Sequence, residues 1–212
     1  MTDNIYPFNP LDKQHLGESV GQAMLRQPVR PLAELFKFNG AGVYAIYYSG
    51  DFPSYHEIAK RNNGGSYTAP IYVGKAVPAG ARKGKAAIGT TQALFNRLND
   101  HKKSLEKIDN LQLEDFFYRF LVVDDIWIPL GESLLIAKFS PIWNHLIDGF
   151  GNHDPGSGRH KGLRPRWDVL HPGRPWADKC TPRHETQEQI MLEVEDHLRS
   201  DPPPDDDNMI SV

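Results

Sequence analysis

The stretch from Gly42 to Lys75 constrains the fold more than any other part of the chain. It opens with Gly42-Val43-Tyr44-Ala45-Ile46-Tyr47-Tyr48 and closes with Pro70-Ile71-Tyr72-Val73-Gly74-Lys75. Each end is a β-branched and aromatic run of strand length, bounded by Gly or Pro. The polar segment between them carries Asp51, Pro53, Asn62, Asn63, Gly64 and Gly65 and reads as loop. A strand, a reversal and a second strand predict an antiparallel pair with Tyr44 and Tyr72 on neighbouring strands. Tyrosines on paired strands are also ordinary core residues, and Tyr47, Tyr48, Tyr55, Tyr67 and Tyr118 are read that way.

Further elements follow in order. Thr90 or Thr91 can cap a helix running to about Ile108, with Leu94, Leu98, Leu105 and Ile108 as its apolar stripe. Arg97 and His101 are four residues apart on that helix and therefore share a face. This spacing lets two side chains address one phosphate, although it equally describes two solvated residues. Phe116 to Val123 is nearly apolar throughout and predicts a buried third strand. A short helix is predicted from about Pro129, with Glu132 in or near its first turn and Leu134, Leu135, Ile136 and Phe139 on its packing face. Pro141 interrupts it. A carboxylate so placed is either a dipole-stabilising group or a metal ligand.

Gly-Val-Tyr at 42–44 followed by Tyr-Val-Gly-Lys at 72–75, then Arg97, His101, Glu132, Pro141 and Asn144, resembles the motif set of the GIY-YIG nucleases. The resemblance covers about residues 36 to 150. It implies an α+β fold: a small antiparallel three-stranded sheet flanked by helices, here with an N-terminal arm and a C-terminal loop and helix extension. It also implies one metal-dependent active site built from Tyr44, Tyr72, Lys75, Arg97, His101, Glu132 and Asn144. Glu132 is the expected metal ligand, for one Mg²⁺ per site with Mn²⁺ as a substitute, because Mg²⁺ keeps most of its waters and needs few carboxylates. Arg97 can hold a phosphate oxygen in its planar fork. Tyr72, Tyr44 and His101 are the alternatives for general base, with Tyr72 ranked above Tyr44 by analogy with the family. Tyrosine has a pKa of about 10, so a base role requires nearby positive charge, which Lys75 can supply. The family often has Tyr where this chain has His101, so the role of His101 stays open. Asn144 is expected to hold other groups in place.

Charge is distributed unevenly. Between Glu185 and Asn208 nine acidic residues face Arg199 alone, a net −8, which leaves +5 on the rest of a chain whose total is −3. Basic groups cluster at Arg82, Lys83 and Lys85, and again at Arg159, His160, Lys161, Arg164, Arg166 and Arg174. Such clusters suit phosphate-backbone and base-edge contact, although charged patches also occur on surfaces with no nucleic-acid partner. The reading divides the chain into an N-terminal arm (1–35, with a short helix near Glu18 to Arg26), a nuclease core (36–150, with a basic insert at 76–90), a basic DNA-contacting extension (151–184), and an acidic helix with a disordered tail (185–212). The acidic helix is predicted to be amphipathic through Ile190, Leu192, Val194 and Leu198.

Other chemistries fit poorly. His145, His153, His160, His171, His184 and Cys180 show no paired zinc-ligand spacing, and no Gly-Lys-Ser/Thr loop is present. A lone cysteine excludes an internal disulfide and suits a reducing interior. The N-terminus lacks a basic-then-apolar signal, and no apolar run approaches the roughly 18 residues of a membrane span. A cytoplasmic protein is expected. The compact core with basic extensions resembles the type II restriction enzymes of the family, and more narrowly the branch that cuts CCGCGG. This implies double-stranded DNA as substrate, a homodimer on a palindrome, and a DNA methyltransferase of the same specificity as functional counterpart. The competing readings are a repair or structure-specific nicking nuclease and a catalytically idle DNA-binding module.

Overall fold

The computed structural model describes residues 9, 11–78, 91–156 and 160–200. Its elements run α1 (Lys13–Leu25), β1 (Arg30–Pro31), β2 (Gly42–Tyr48), α2 (His56–Asn62), β3 (Pro70–Ala76), α3 (Ala93–Leu105), β4 (Phe116–Val122), α4 (Ile128–Phe139), α5 (Ile142–His145), α6 (Arg166–Leu170) and α7 (Gln187–Ser200), with short 3₁₀ turns between them. The fold is α+β, as expected. The sheet has four strands rather than three, in the order β1-β4-β2-β3. The added strand is two residues long, pairing Arg30 with Tyr118 and Pro31 with Phe117. A proline-rich segment gives no periodic signal at that length, and proline is tolerated there because β1 is an edge.

β2 is the centre of the molecule. All seven of its residues are buried, because it is hydrogen-bonded on both sides and covered on both faces. Tyr44, Ile46 and Tyr48 face one apolar cluster, which takes in α3, α5, α6 and α7 through Leu94, Leu98, Trp143, Trp167 and Ile190. Val43, Ala45 and Tyr47 face the other, closed by Met24 of α1 and by Ile128, Leu135 and Phe139 of α4. The result is a sheet between two helical layers, with the C-terminal extension packed into the core.

Several local expectations are corrected. The polar insert between β2 and β3 holds a 3₁₀ turn (Pro53–Tyr55) and α2 rather than loop. Ile58 and Ala59 anchor α2, and the buried Asn62 amide closes the insert by donating to the carbonyls of Tyr48 and Ala69, both at 2.8 Å. The start of α3 has no side-chain cap. Its first turn is held by Gly40, whose N–H donates to Thr91 O (2.6 Å) and whose carbonyl accepts from Leu94 N (3.1 Å). α4 ends at Ser140, in the left-handed conformation at φ 42°, before Pro141. In β4, Arg119 is buried among apolar neighbours and donates to Gln27 O, Tyr67 O and Tyr47 Oη, while Val122 is exposed. α7 buries Ile190, Val194 and Leu198 but turns Leu192 outward, as a spacing of four requires.

A buried polar chain ties the extension to the core. The Tyr55 hydroxyl lies 2.6 Å from His171 Nε2, Trp143 Nε1 donates to the same hydroxyl (2.9 Å), and His171 Nδ1 meets Asn110 Oδ1 at 3.0 Å. Burial, and then the charge of Arg174, pushes His171 down to about 3. In the unfolded chain it titrates near 6.5. The unfolded state therefore binds a proton below about pH 6.5 that the folded state refuses. This part of the stability is complete above pH 6.5 and is lost as pH falls toward 3, by up to about 1.4 kcal/mol per pH unit. Urea denaturation from pH 7 to 4 is expected to show a shallower pH slope for His171→Gln than for the wild type. Equal slopes would remove His171 as the cause.

Candidate active site

Strand register builds one half of the site. Tyr44 lies opposite Gly74 and Ile46 opposite Tyr72, so both phenols project from the same face at the β3 edge, with ring centroids 6.2 Å apart. Helix α3 crosses this face and brings in Arg97 and His101. The Tyr44 hydroxyl and His101 Nε2 are 2.6 Å apart and both groups are buried. Arg97 is the cation whose charge acts on both phenols. Its Nη2 donates to Gly151 O (2.8 Å), and its Nη1 meets His153 Nε2 at 2.6 Å.

The other half lies across the same edge. Lys75 is paired with Val43 and so faces α4, where its Nζ sits 2.5 Å from Glu132 Oε2. Glu132 is the fifth residue of α4, past the first turn, so its partner is Lys75 rather than the helix start. Asn144 of α5 accepts from Val73 N–H and donates to Val73 O, both at 2.8 Å. Its amide takes the place of a neighbouring strand at an otherwise open edge and fixes the residue between Tyr72 and Gly74.

Burial dominates the electrostatics. It raises Tyr44 well above the ordinary value, with Tyr72 adding to the effect and Arg97 opposing it. Tyr72 is also raised, chiefly by burial with Glu132 adding to it, and Arg97 is the first of the groups that oppose the rise, ahead of Tyr44. The positive charge at the phenols is therefore that of Arg97. Lys75, expected to act there, is instead bound to Glu132. His101 is held well below its usual range by burial first and then by Arg97, His153 and Arg174, so at neutral pH it is an uncharged imidazole that serves as a hydrogen-bond partner rather than as a cation.

The basic extension differs from its sequence reading. Arg174 is 2 % exposed and paired with Asp168, and is a structural residue rather than a surface contact. Arg164 pairs with Asp178, Arg166 with Glu185 and Glu193, and His160 with Asp154. Lys161 is exposed. Arg82, Lys83, Lys85 and Arg159 lie outside the described residues. Sequence reasoning missed the segment 150–153. The Phe150 ring stacks on His101 (centroids 4.5 Å apart, 15° between planes), and His153, set aside as a failed zinc ligand, reaches Arg97. No spacing rule marks such residues, because the return of the chain to α3 is a tertiary event.

Gly74 is constrained by the same geometry, since a Cβ there would collide with the Tyr44 hydroxyl and ring. Gly74→Ala is expected to displace Tyr44 from His101 and to destabilise the fold by roughly 1–3 kcal/mol through overpacking. Chemical denaturation measures this, and an unchanged midpoint would show that the phenol is free to move.

Comparison with known proteins agrees with this architecture. The family model described as the Eco29kI GIY-YIG domain matches residues 36–198, spanning both halves of the site and the extension through most of α7. A search of curated proteins gave no match. With the paired tyrosines, the α3 arginine and histidine, and the α4 glutamate all gathered at one strand edge, the chain belongs to the GIY-YIG nucleases, in the Eco29kI family of restriction endonucleases.

Proposed function

We propose that this nuclease is a type II restriction endonuclease that hydrolyses double-stranded DNA at a palindrome, CCGCGG being the specific sequence suggested, in a Mg²⁺-dependent reaction. The observation that carries the reading is the convergence of Arg97, Tyr72 and the Tyr44–His101 pair at the β3 edge, with Glu132 on the adjoining face.

The donor set suits Mg²⁺. Among the described residues no group of three or more His, Cys, Asp or Glu is placed to hold a metal ion, which disfavours metals needing a full protein cage. Glu132 offers a hard carboxylate whose side chain is 19 % exposed and already faces a cation, Lys75. One carboxylate with retained waters is a normal Mg²⁺ environment. When bound, Mg²⁺ supplies charge stabilisation at the phosphate and lowers the pKa of water.

The remaining chemistry belongs to the side chains. Two of the five Arg97 N–H groups are used by Gly151 and His153, which leaves donors for a non-bridging phosphate oxygen. Tyr72, the more accessible phenol, orients the attacking water. Tyr44 has no exposed surface and acts behind Tyr72, where its hydrogen bond to neutral His101 holds its hydroxyl in place. Raised phenol pKa values disfavour a standing phenolate, so proton removal accompanies attack, assisted by Arg97.

A palindromic double-strand break requires two such sites, hence a homodimer on DNA. Lys161, together with Arg82, Lys83, Lys85 and Arg159, is proposed to contact phosphates or guanine edges. A DNA methyltransferase of the same specificity and a cytoplasmic location complete the proposal. Among the described residues no helix is long and apolar enough to cross a membrane.

Digestion of a sequenced plasmid with Mg²⁺, with EDTA, and with Glu132→Gln tests the reading. Discrete Mg²⁺-dependent fragments are expected, with a loss of at least ~100-fold in rate for the variant, in the range of removing a group that stabilises transition-state charge. Nicking without fixed ends would replace the restriction reading with a repair or structure-specific one. DNA binding without cleavage under any condition would leave the idle DNA-binding module.

A further inference from the structure

Arg174 lies outside the motif residues, yet it is the most completely bonded arginine in the C-terminal extension. Its Nε and Nη2 grip both oxygens of Asp168 at 2.6 and 2.5 Å. Its Nη1 donates to Phe150 O and Asn152 O, both at 3.1 Å, and Nη2 donates also to Gly149 O at 2.9 Å. These contacts use all five of its N–H groups. The guanidinium lies over the Trp167 and Trp176 rings, 4.5 and 4.8 Å from their centroids, a favourable cation–π arrangement. The Arg174 and Asp168 side chains are only 2 % and 1 % exposed.

What this pair holds is a single turn. Three bonds fix the carbonyls of Gly149, Phe150 and Asn152. The fourth carbonyl of that segment, Gly151 O, points the other way and accepts from Arg97, and His153 closes on the second Arg97 amino group. Gly151 sits so tightly that a Cβ would be 2.7 Å from the Tyr72 hydroxyl and 3.0 Å from Arg97 Nη2. Phe150, held by the same arginine, lies flat on His101. An unbroken chain of contacts therefore runs from Asp168 through Arg174 and the 149–153 turn to three groups of the site.

We propose that the buried Arg174–Asp168 pair is a positioning device for Arg97: it clamps the 149–153 turn, and through Gly151 O and His153 sets the plane in which the Arg97 guanidinium meets the scissile phosphate. The proposal rests on the nuclease reading for its catalytic consequence, but not for the geometry it assigns. Lysine cannot replace Arg174, because it has three donors on a point charge in place of five in a plane.

Arg174→Lys, Arg97→Lys and the double variant, compared with the wild type well below their melting temperatures, test this. Misplacement of a positioned group by about 1 Å costs on the order of 100-fold. Single-turnover cleavage by Arg174→Lys is expected to fall about 10- to 100-fold, with DNA affinity held within about threefold. In the Arg97→Lys background the same change is expected to cost less than about threefold, since residues acting through one another are not additive. The Arg97 side-chain Nε–H resonance, assigned by its absence in Arg97→Lys, is expected to move in Arg174→Lys. Wild-type cleavage with an unmoved resonance would overturn the proposal, as would losses that simply multiply. Should Arg174→Lys fail to fold, Asp168→Asn, which keeps the shape and withdraws the charge, takes its place with the same outcomes. If the wild type cleaves no DNA, the nuclease reading falls and the Arg97 resonance alone decides the clamp.

Discussion

The register between β2 and β3 is the constraint on which everything else depends. With Tyr44 opposite Gly74 and Ile46 opposite Tyr72, both phenols share a face and Lys75 takes the opposite one. A slip of one residue would exchange the faces, placing Lys75 toward α3 and Tyr72 toward α4. Two features guard against it. Gly74 is the residue that leaves room for the Tyr44 ring, and Asn144 holds Val73 by both of its backbone groups. The site follows from that register: it wraps around an edge strand, with the phenols, arginine and histidine on one side and the lysine–glutamate pair on the other.

Dehydration gives these groups their chemical character. The Tyr44–His101 contact is short and lies in the core, where a charge on either partner is disfavoured. Arg97 keeps its charge, as a guanidinium does throughout the physiological range, and sits at the margin, only partly buried, with polar partners around it. The same arrangement of a tyrosine hydroxyl on a neutral histidine recurs at Tyr55 and His171. There it is closed off by Trp143 and Asn110 and serves to fasten the extension. Similar pairs thus differ in role through what borders them: one adjoins Tyr72 and Arg97 at the strand edge, the other is sealed within the core.

Counting charges overstated the basic surface. The extension is rich in arginine, yet Arg164, Arg166 and Arg174 each face a carboxylate, and two of the acids that neutralise them, Glu185 and Glu193, belong to the acidic stretch near the C-terminus. The two segments of opposite charge are partners in one packing arrangement. This is why the acidic helix lies against the molecule: its apolar stripe enters the core while Glu193 and Glu195 reach Arg166 and Ser54. A composition-based case for DNA contact therefore narrows, among the described residues, to groups such as Lys161 that stay exposed.

The sequence by itself determined the strands, the helices carrying Arg97 and Glu132, and the identity of the motif residues. Those signals are local: apolar runs of strand length, a spacing of four on a helix, and turn residues at fixed places. Only the tertiary structure decided that the insert after β2 is partly helical, that Arg30 and Pro31 add a fourth strand, and that Lys75 serves Glu132 rather than the phenols. It also decided that Arg174 is buried and that Phe150, Gly151 and His153 border the active site. Each of these depends on a partner distant in sequence, as in the contact of Arg97 with a turn more than fifty residues away. A buried charge or a two-residue strand is stable only through such partners, and nothing in the neighbouring residues announces them.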